Sequence, residues 1–125
     1  MNKKKILVID DSEDVRDFCE TLLADKYDLT SVSSAKKGLE KIKNQTYDAI
    51  LLDLRIGTED GLEILPEIKK LVPDIPVIMM TSFTSSFYQQ EATNLGAQDY
   101  LVKPFTADRL IRALEKLWGD KKNGK

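Results

Sequence analysis

Short apolar runs alternate with amphipathic stretches five times along the chain. Three runs are continuously apolar: Ile6 to Ile9, Ala49 to Leu52 leading into Asp53-Leu54, and Val77 to Met80 leading into Thr81. Runs this short and uniform read as strands buried on both faces. Two others are weaker. Leu29-Thr30-Ser31-Val32 is half polar, and Tyr100-Leu101-Val102 is short. Between the runs, apolar residues recur at helical spacing. Val15, Phe18, Cys19, Leu22 and Leu23 form the first stripe, Leu39 and Ile42 the second, and Leu65, Ile68, Leu71 and Val72 the third. Tyr88, Ala92 and Leu95 make a weaker fourth stripe that Gly96 stops. Leu110, Ile111, Leu114, Leu117 and Trp118 make a clean fifth. Ser34 and Thr106 stand where N-caps belong. Pro66 sits inside the third stripe, so that helix either starts late or is kinked.

Strictly alternating strands and helices imply an α/β fold: a parallel sheet with helices on both faces, a doubly wound (βα)5 three-layer sandwich. The uniformly apolar runs one, three and four belong inside, and the weaker runs two and five at the edges. A five-stranded parallel sheet in the order 2-1-3-4-5 meets both conditions. Residues 1–119 read as one domain, and the polar stretch 120–125 as a frayed tail.

The chain has 125 residues, enough for one domain with a core of its own. Its 19 basic and 21 acidic residues leave no positive excess to drive binding to nucleic acid. It has no histidine and one cysteine, Cys19, which excludes histidine-dependent triads, His-ligated metals, thiolate zinc clusters and an internal disulfide. Cys19 reads as a core residue, Trp118 as packing, and Lys3-Lys4-Lys5 as a solvated strand entry. The apolar run behind that basic start is too short for a signal peptide, and no stretch approaches the roughly 20 residues of a membrane span. The expected location is the cytoplasm, without membrane contact.

Ligands in such sheets bind beyond the strands' carboxyl ends, where the strand order reverses. In the order 2-1-3-4-5 that point lies between the ends of the first strand, Asp10-Asp11, and the third, Asp53. Three converging carboxylates need a cation to stay ionised. An all-oxygen donor set favours Mg²⁺, then Mn²⁺ or Ca²⁺. Thr81 and Lys103 close the two flanking strands and bring a hydroxyl and a positive charge. Aspartate, hard cation, lysine and hydroxyl suit phosphoryl transfer to a carboxylate. Each residue also has a plainer reading. Asp10-Asp11 could cap the first helix, Asp53 could face a loop, Lys103 could be solvated, and Thr81 could serve β propensity.

Val8-Ile9-Asp10-Asp11, Leu51-Leu52-Asp53-Leu54, Asp60-Gly61, Met80-Thr81-Ser82 and Lys103-Pro104-Phe105, in this order and at these spacings, resemble a response-regulator receiver domain. The likeness covers residues 4 to 118. It implies a flavodoxin-like fold and two-component signalling. Asp53 would be the phosphoacceptor. Asp11, Asp53 and the backbone carbonyl of Arg55 would ligate Mg²⁺, with Asp10 acting beside them or through water. Lys103 and Thr81 would contact phosphoryl oxygens. Tyr100 matches an aromatic switch position that turns inward with the threonine and reshapes the face made by helix four, strand five and helix five; plain packing is its simpler reading. The Lys103-Pro104 bond would be cis. The donor would be a histidine kinase or a histidine phosphotransfer protein, and the output an unidentified protein or domain. Such a domain catalyses only its own phosphorylation and dephosphorylation. The resemblance also allows a phosphorylation-dependent dimer.

Two departures concern tuning. Gly57 stands where many receivers carry proline, and Gly57 and Gly61 read as turn residues. Arg55 and Phe83, two residues beyond Asp53 and Thr81, are large enough to shield an acyl phosphate from water. Phe87 and Tyr88 on the fourth helix are the expected partner surface. Two other functions fit the fold less well. A flavodoxin-like cofactor binder needs a phosphate-cradling loop after the first strand, where this chain has Asp10-Asp11-Ser12-Glu13-Asp14. A Mg²⁺-dependent aspartyl phosphatase would carry its nucleophile and a second aspartate two apart on the first strand.

Overall fold

Ile6, Leu7, Val8 and Ile9 are all fully buried, so the first apolar run has helices on both sides. The structure, a computed structural model, describes residues 3–119. The stretch read as a frayed tail, 120–125, lies outside them.

The elements run β1 (Lys4–Ile9), α1 (Glu13–Leu23), β2 (Tyr27–Val32), α2 (Ala35–Asn44), β3 (Ala49–Asp53), β4 (Arg55–Ile56), β5 (Glu59–Asp60), α3 (Gly61–Leu71), β6 (Val77–Thr81), α4 (Ser86–Asn94), β7 (Asp99–Val102) and α5 (Ala107–Leu117). The main sheet is β2-β1-β3-β6-β7, every neighbouring pair parallel. This is the order read from strand character, with the two weaker runs at the edges. Alternate residues of the central strands enter opposite layers. Leu7, Ile9, Ile50, Leu52, Val77 and Met79 pack with Ile42, Leu65, Ile68 and Ala92 of α2, α3 and α4. Ile6, Val8, Ala49, Leu51, Ile78 and Met80 pack with Cys19, Leu23, Leu110 and Leu114 of α1 and α5.

Local chemistry sets the element ends. Ser12, Ser34, Asp60, Ser85 and Thr106 cap the five helices, each side chain accepting a backbone N–H of the first turn. The first helix is thus capped by Ser12, not by Asp10 or Asp11. α4 ends before Gly96, whose φ of 103° favours glycine. α3 starts at Gly61 and runs through Pro66 to Leu71, so it does not start late. β2 begins at Tyr27, two residues before the half-polar run, because Tyr27 is buried and its ring packs 6.0 Å from Trp118. Lys4 covers the Trp118 ring from 5.0 Å, and Lys3 Nζ donates to the Ala24 carbonyl.

The β4–β5 hairpin is the element that the sequence pattern does not reveal. Its two-residue loop, Gly57-Thr58, has φ 61° at Gly57, a conformation that suits glycine at the first turn position.

Candidate functional site

The parallel register brings the carboxyl ends of β1, β3, β6 and β7 to one edge of the sheet. Asp10 and Asp11 follow β1, and Asp53 ends β3, where it pairs with Met80 of β6. Carboxylate oxygens of Asp10, Asp11 and Asp53 lie within 4.8 Å of one another. Asp10 is fully buried, Asp53 is 5% exposed, and Asp11 faces solvent.

Asp10 and Asp53 share the Lys103 ammonium, and Asp11 takes a backbone donor. Asp10 Oδ1 accepts the Ser12 N–H at 2.9 Å, and Oδ2 accepts Lys103 Nζ at 2.9 Å. Lys103 Nζ also lies 3.3 Å from Asp53 Oδ1. Asp11 Oδ2 accepts the Gly57 N–H of the hairpin at 2.8 Å. Burial, and then the Asp10 charge, push the Asp53 carboxyl up to about 7, although Lys103 opposes them. Burial works against the Lys103 charge, but its hydrogen bond to Asp10 and the charges of Asp53 and Asp10 outweigh it and raise its pKa. Lys103 therefore stays an ammonium, while Asp53 is close to half-protonated near neutrality.

The hairpin fixes the segment after Asp53. The Gly61 N–H donates to the Leu54 carbonyl at 2.5 Å, which leaves the Arg55–Asp60 pair in the non-hydrogen-bonded position. The N–H and C=O of Arg55 are therefore turned away from β5. Its N–H approaches Asp53 Oδ1 at 3.4 Å. The carbonyl on the same strand edge is free of the ladder, as a ligand would have to be. The Arg55 guanidinium rests 5.9 Å from the Phe83 ring centre.

Thr81, Phe83 and Tyr100 share one hydrogen-bond circuit. Thr81 is buried, and its Oγ1 accepts the Phe83 N–H at 2.9 Å. The Phe83 carbonyl accepts the Tyr100 hydroxyl at 3.3 Å. Burial raises the Tyr100 pKa, and a hydrogen bond with Thr81 opposes that rise. Phe83 lies tilted against Tyr88 at 5.3 Å and Phe87 meets it edge-on at 5.4 Å, and Phe87 is 63% exposed. The Lys103-Pro104 peptide bond is cis. Cys19 is buried beneath the site, and burial together with the Asp10 charge pushes its thiol up to about 12.

Asp10, Asp11 and Asp53 thus lie within ligand distance of one another, Lys103 is within ion-pair distance of Asp10 and Asp53, and Arg55 and Thr81 flank them. Sequence reasoning missed three supporting groups: Arg16, whose Nη1 donates to the Asp10 carbonyl at 2.8 Å, and the backbone N–H groups of Ser12 and Gly57. Only the Asp10-x-Ser12 spacing, typical of an Asx turn, carried a hint. The donor set fits a hard cation: clustered carboxylate oxygens, a carbonyl outside the hairpin ladder, and no imidazole or thiolate beside them.

Fold and site together define a signalling receiver. The model of the response regulator receiver domain matches residues 6–115, and the chain belongs to that family. The transcriptional regulatory protein ZraR of Escherichia coli K12 is 39% identical over 112 residues, which cover 89% of this chain and 25% of that protein. This chain thus spans about a quarter of ZraR's length. The CheY-like receiver domain protein of Methanospirillum hungatei JF-1 superposes with a TM-score of 0.89 at 26% identity, over 99% of this chain and 100% of that one. NtrX of Brucella abortus gives 0.84 at 34% identity, over 96% of this chain and 29% of its own. Among the described residues no helix is long and apolar enough to cross a membrane.

Proposed function

We propose that Asp53 accepts a phosphoryl group from a phosphohistidine on a kinase or phosphotransfer protein, in the cytoplasm, with Mg²⁺ held by Asp11, Asp53 and the Arg55 carbonyl. The observation that carries this is the Asp53 carboxylate, 5% exposed, beside two other carboxylates and 3.3 Å from Lys103 Nζ. When bound, Mg²⁺ (or Mn²⁺) supplies positive charge to the phosphoryl oxygens and keeps the carboxylates ionised. An ionised Asp53 oxygen forms the bond to phosphorus as the phosphorus–nitrogen bond breaks. The histidine nitrogen leaves with the bonding pair and takes up a proton. Lys103 has three donors, two of them engaged by Asp10 and Asp53, and turns the third to a phosphoryl oxygen. Asp10 holds Lys103 in place.

The acyl phosphate carries about −1.5 to −2 charges and new acceptor oxygens. A ligand shifts a switch only by its differential contacts with the two states. Here those contacts are the Thr81 hydroxyl and the third Lys103 donor. When Thr81 turns to donate to phosphate, its Oγ1 gives up the Phe83 N–H, and Phe83 and the Tyr100 hydroxyl held on its carbonyl are released to rearrange the α4–β7–α5 face. Water attack at phosphorus returns Asp53 to its carboxylate, so the domain resets its own signal. The face controls an output partner, and its phosphorylated form also supports a dimer.

Intact-mass spectrometry tests the reading. The protein is incubated with acetyl phosphate or phosphoramidate and Mg²⁺, with EDTA and Asp53→Asn controls. The expected result is one added phosphoryl group, absent from both controls. A phosphoryl group on Asp53→Asn would overturn the assignment.

A further inference from the structure

Asp11 occupies two roles at once. One of its oxygens belongs to the acidic cluster, and its Oδ2 accepts the Gly57 N–H at the tip of the β4–β5 hairpin. That bond spans 46 positions of sequence and ties the β1–α1 loop to the segment that carries Arg55. Among the described residues no other hydrogen bond joins the hairpin tip to that loop. A residue without an N–H at position 57 could not make it, and glycine's φ of 61° there is what aims the N–H.

A carboxylate has about four lone-pair sites, so one backbone donor leaves Asp11 free to hold a cation. That cation would touch Asp11 on the loop and the Arg55 carbonyl on the hairpin, the same two segments the Gly57 bond joins. Two bridges between the same pair of segments support each other: each pays the ordering entropy the other then avoids. Reciprocity follows, because whatever strengthens cation binding in the presence of the clamp must strengthen the clamp in the presence of the cation.

We propose that Gly57 is a positioning residue for the metal site. Its N–H clamps Asp11 to the hairpin, so that Mg²⁺ capture and hairpin order form one coupled equilibrium. The inference rests on the reading that the acidic cluster binds Mg²⁺.

Two measurements test it on the full chain. The first is amide hydrogen exchange at Gly57 with and without Mg²⁺, in the parent, Asp11→Asn and Asp11→Ala. In the metal-free state the Gly57 amide is expected to be protected in the parent and in Asp11→Asn, whose amide oxygen still accepts, and to lose that protection in Asp11→Ala. Mg²⁺ is expected to slow exchange further in the parent alone. The second is Mg²⁺ affinity after the Gly57 amide is replaced by an ester, through glycolic acid incorporated at position 57. This deletes the donor and keeps every side chain. Affinity is expected to fall by the same factor by which Mg²⁺ strengthens the clamp, at most roughly tenfold, the full worth of one such hydrogen bond. Unchanged affinity in the folded ester variant, or equal Gly57 exchange in the parent and Asp11→Ala, would overturn the clamp and leave the metal site standing. A parent that binds no Mg²⁺ would overturn the functional reading, and the clamp's role with it.

Discussion

Lys103 Nζ lies 2.9 Å from Asp10 Oδ2, joining residues 93 positions apart at the ends of two strands that are not neighbours in the sheet. Asp10 has no access to water, whereas the Lys103 side chain keeps 18% of its surface exposed. The lysine brings the neutralising charge to a carboxylate that solvent cannot reach.

The two halves of that pair should therefore respond unequally to mutation. Lys103→Met strands a buried carboxylate beside Asp53, and breaking such a pair from one side typically costs about 3–5 kcal/mol. Asp10→Asn leaves Lys103 with Asp53 still 3.3 Å away, so its loss should be clearly smaller. Urea unfolding of both variants in EDTA at pH 8 checks this. Equal losses would show that the lysine is held for another reason.

Asp53 should give metal-free stability a pH slope of unusual sign. Its carboxyl titrates near 3.8 in the unfolded chain and is raised to about 7 by burial and by Asp10. Between those values the folded state binds more protons than the unfolded one. Stability contributed by this group is thus full at low pH and falls as pH rises through the window, levelling off above it. Asp53→Asn should remove the slope and be roughly 2–4 kcal/mol more stable than the parent at pH 8 in EDTA. Mg²⁺ should raise Tm in the parent at pH 8, less at pH 6 where the proton competes, and scarcely in the variant. Thermal melts at the two pH values decide it; a variant no more stable than the parent at pH 8 would refute the argument.

The same residues show how far a sequence can be read. Ile6 to Ile9, Ala49 to Leu52 and Val77 to Met80 were legible because burial on both faces leaves nothing but apolar residues. Strand order was legible because edges tolerate Thr30 and Ser31. Those two facts alone put Asp10, Asp11 and Asp53 at one end of the sheet. The hairpin was not legible: two-residue strands such as Arg55–Ile56 are too short to show alternation. Nor was the Gly57 bond to Asp11, since a backbone donor leaves no mark in side-chain chemistry. Phe18 fell on the stripe of α1 but is 39% exposed, its ring edge-on to Phe105 at 5.9 Å. Helical periodicity gives a face, not the depth to which each residue on it is covered.

Gly61 should be the least replaceable glycine among the four whose surroundings are resolved. A Cβ there would run into the Asp53 carbonyl oxygen and lie 2.9 Å from the Leu54 Cα, and neither backbone atom can give way cheaply. Gly61→Ala should cost about 1–3 kcal/mol or more and slow phosphoryl uptake by shifting Asp53. At Gly38 the obstacles are side-chain atoms of the buried Ile9, Cδ1 at 2.5 Å and Cγ1 at 2.9 Å, which can shift where backbone cannot, and alanine improves the helix interior by about 0.5–1 kcal/mol. Gly38→Ala should therefore be the milder change. Unfolding free energies of the two variants check the ranking.

Arg55 and Phe83 should lengthen the life of the phosphorylated state, and should do so together. The guanidinium lies 5.9 Å from the ring centre, close enough for each to hold the other across the approach to Asp53. A cation–π contact at an exposed site is worth about 0.5–1 kcal/mol, so Arg55→Asn or Phe83→Ala should each shorten the phosphoryl half-life roughly two- to fivefold. If the two act as one cover, removing the second after the first should add little, and the double variant should decay scarcely faster than either single one. Independent shielding predicts multiplied effects instead. Decay of phosphoprotein after donor removal, in the parent, both single variants and the double, separates these cases. If neither single variant is shorter-lived than the parent, hydrolysis is not limited by water's access past these two side chains.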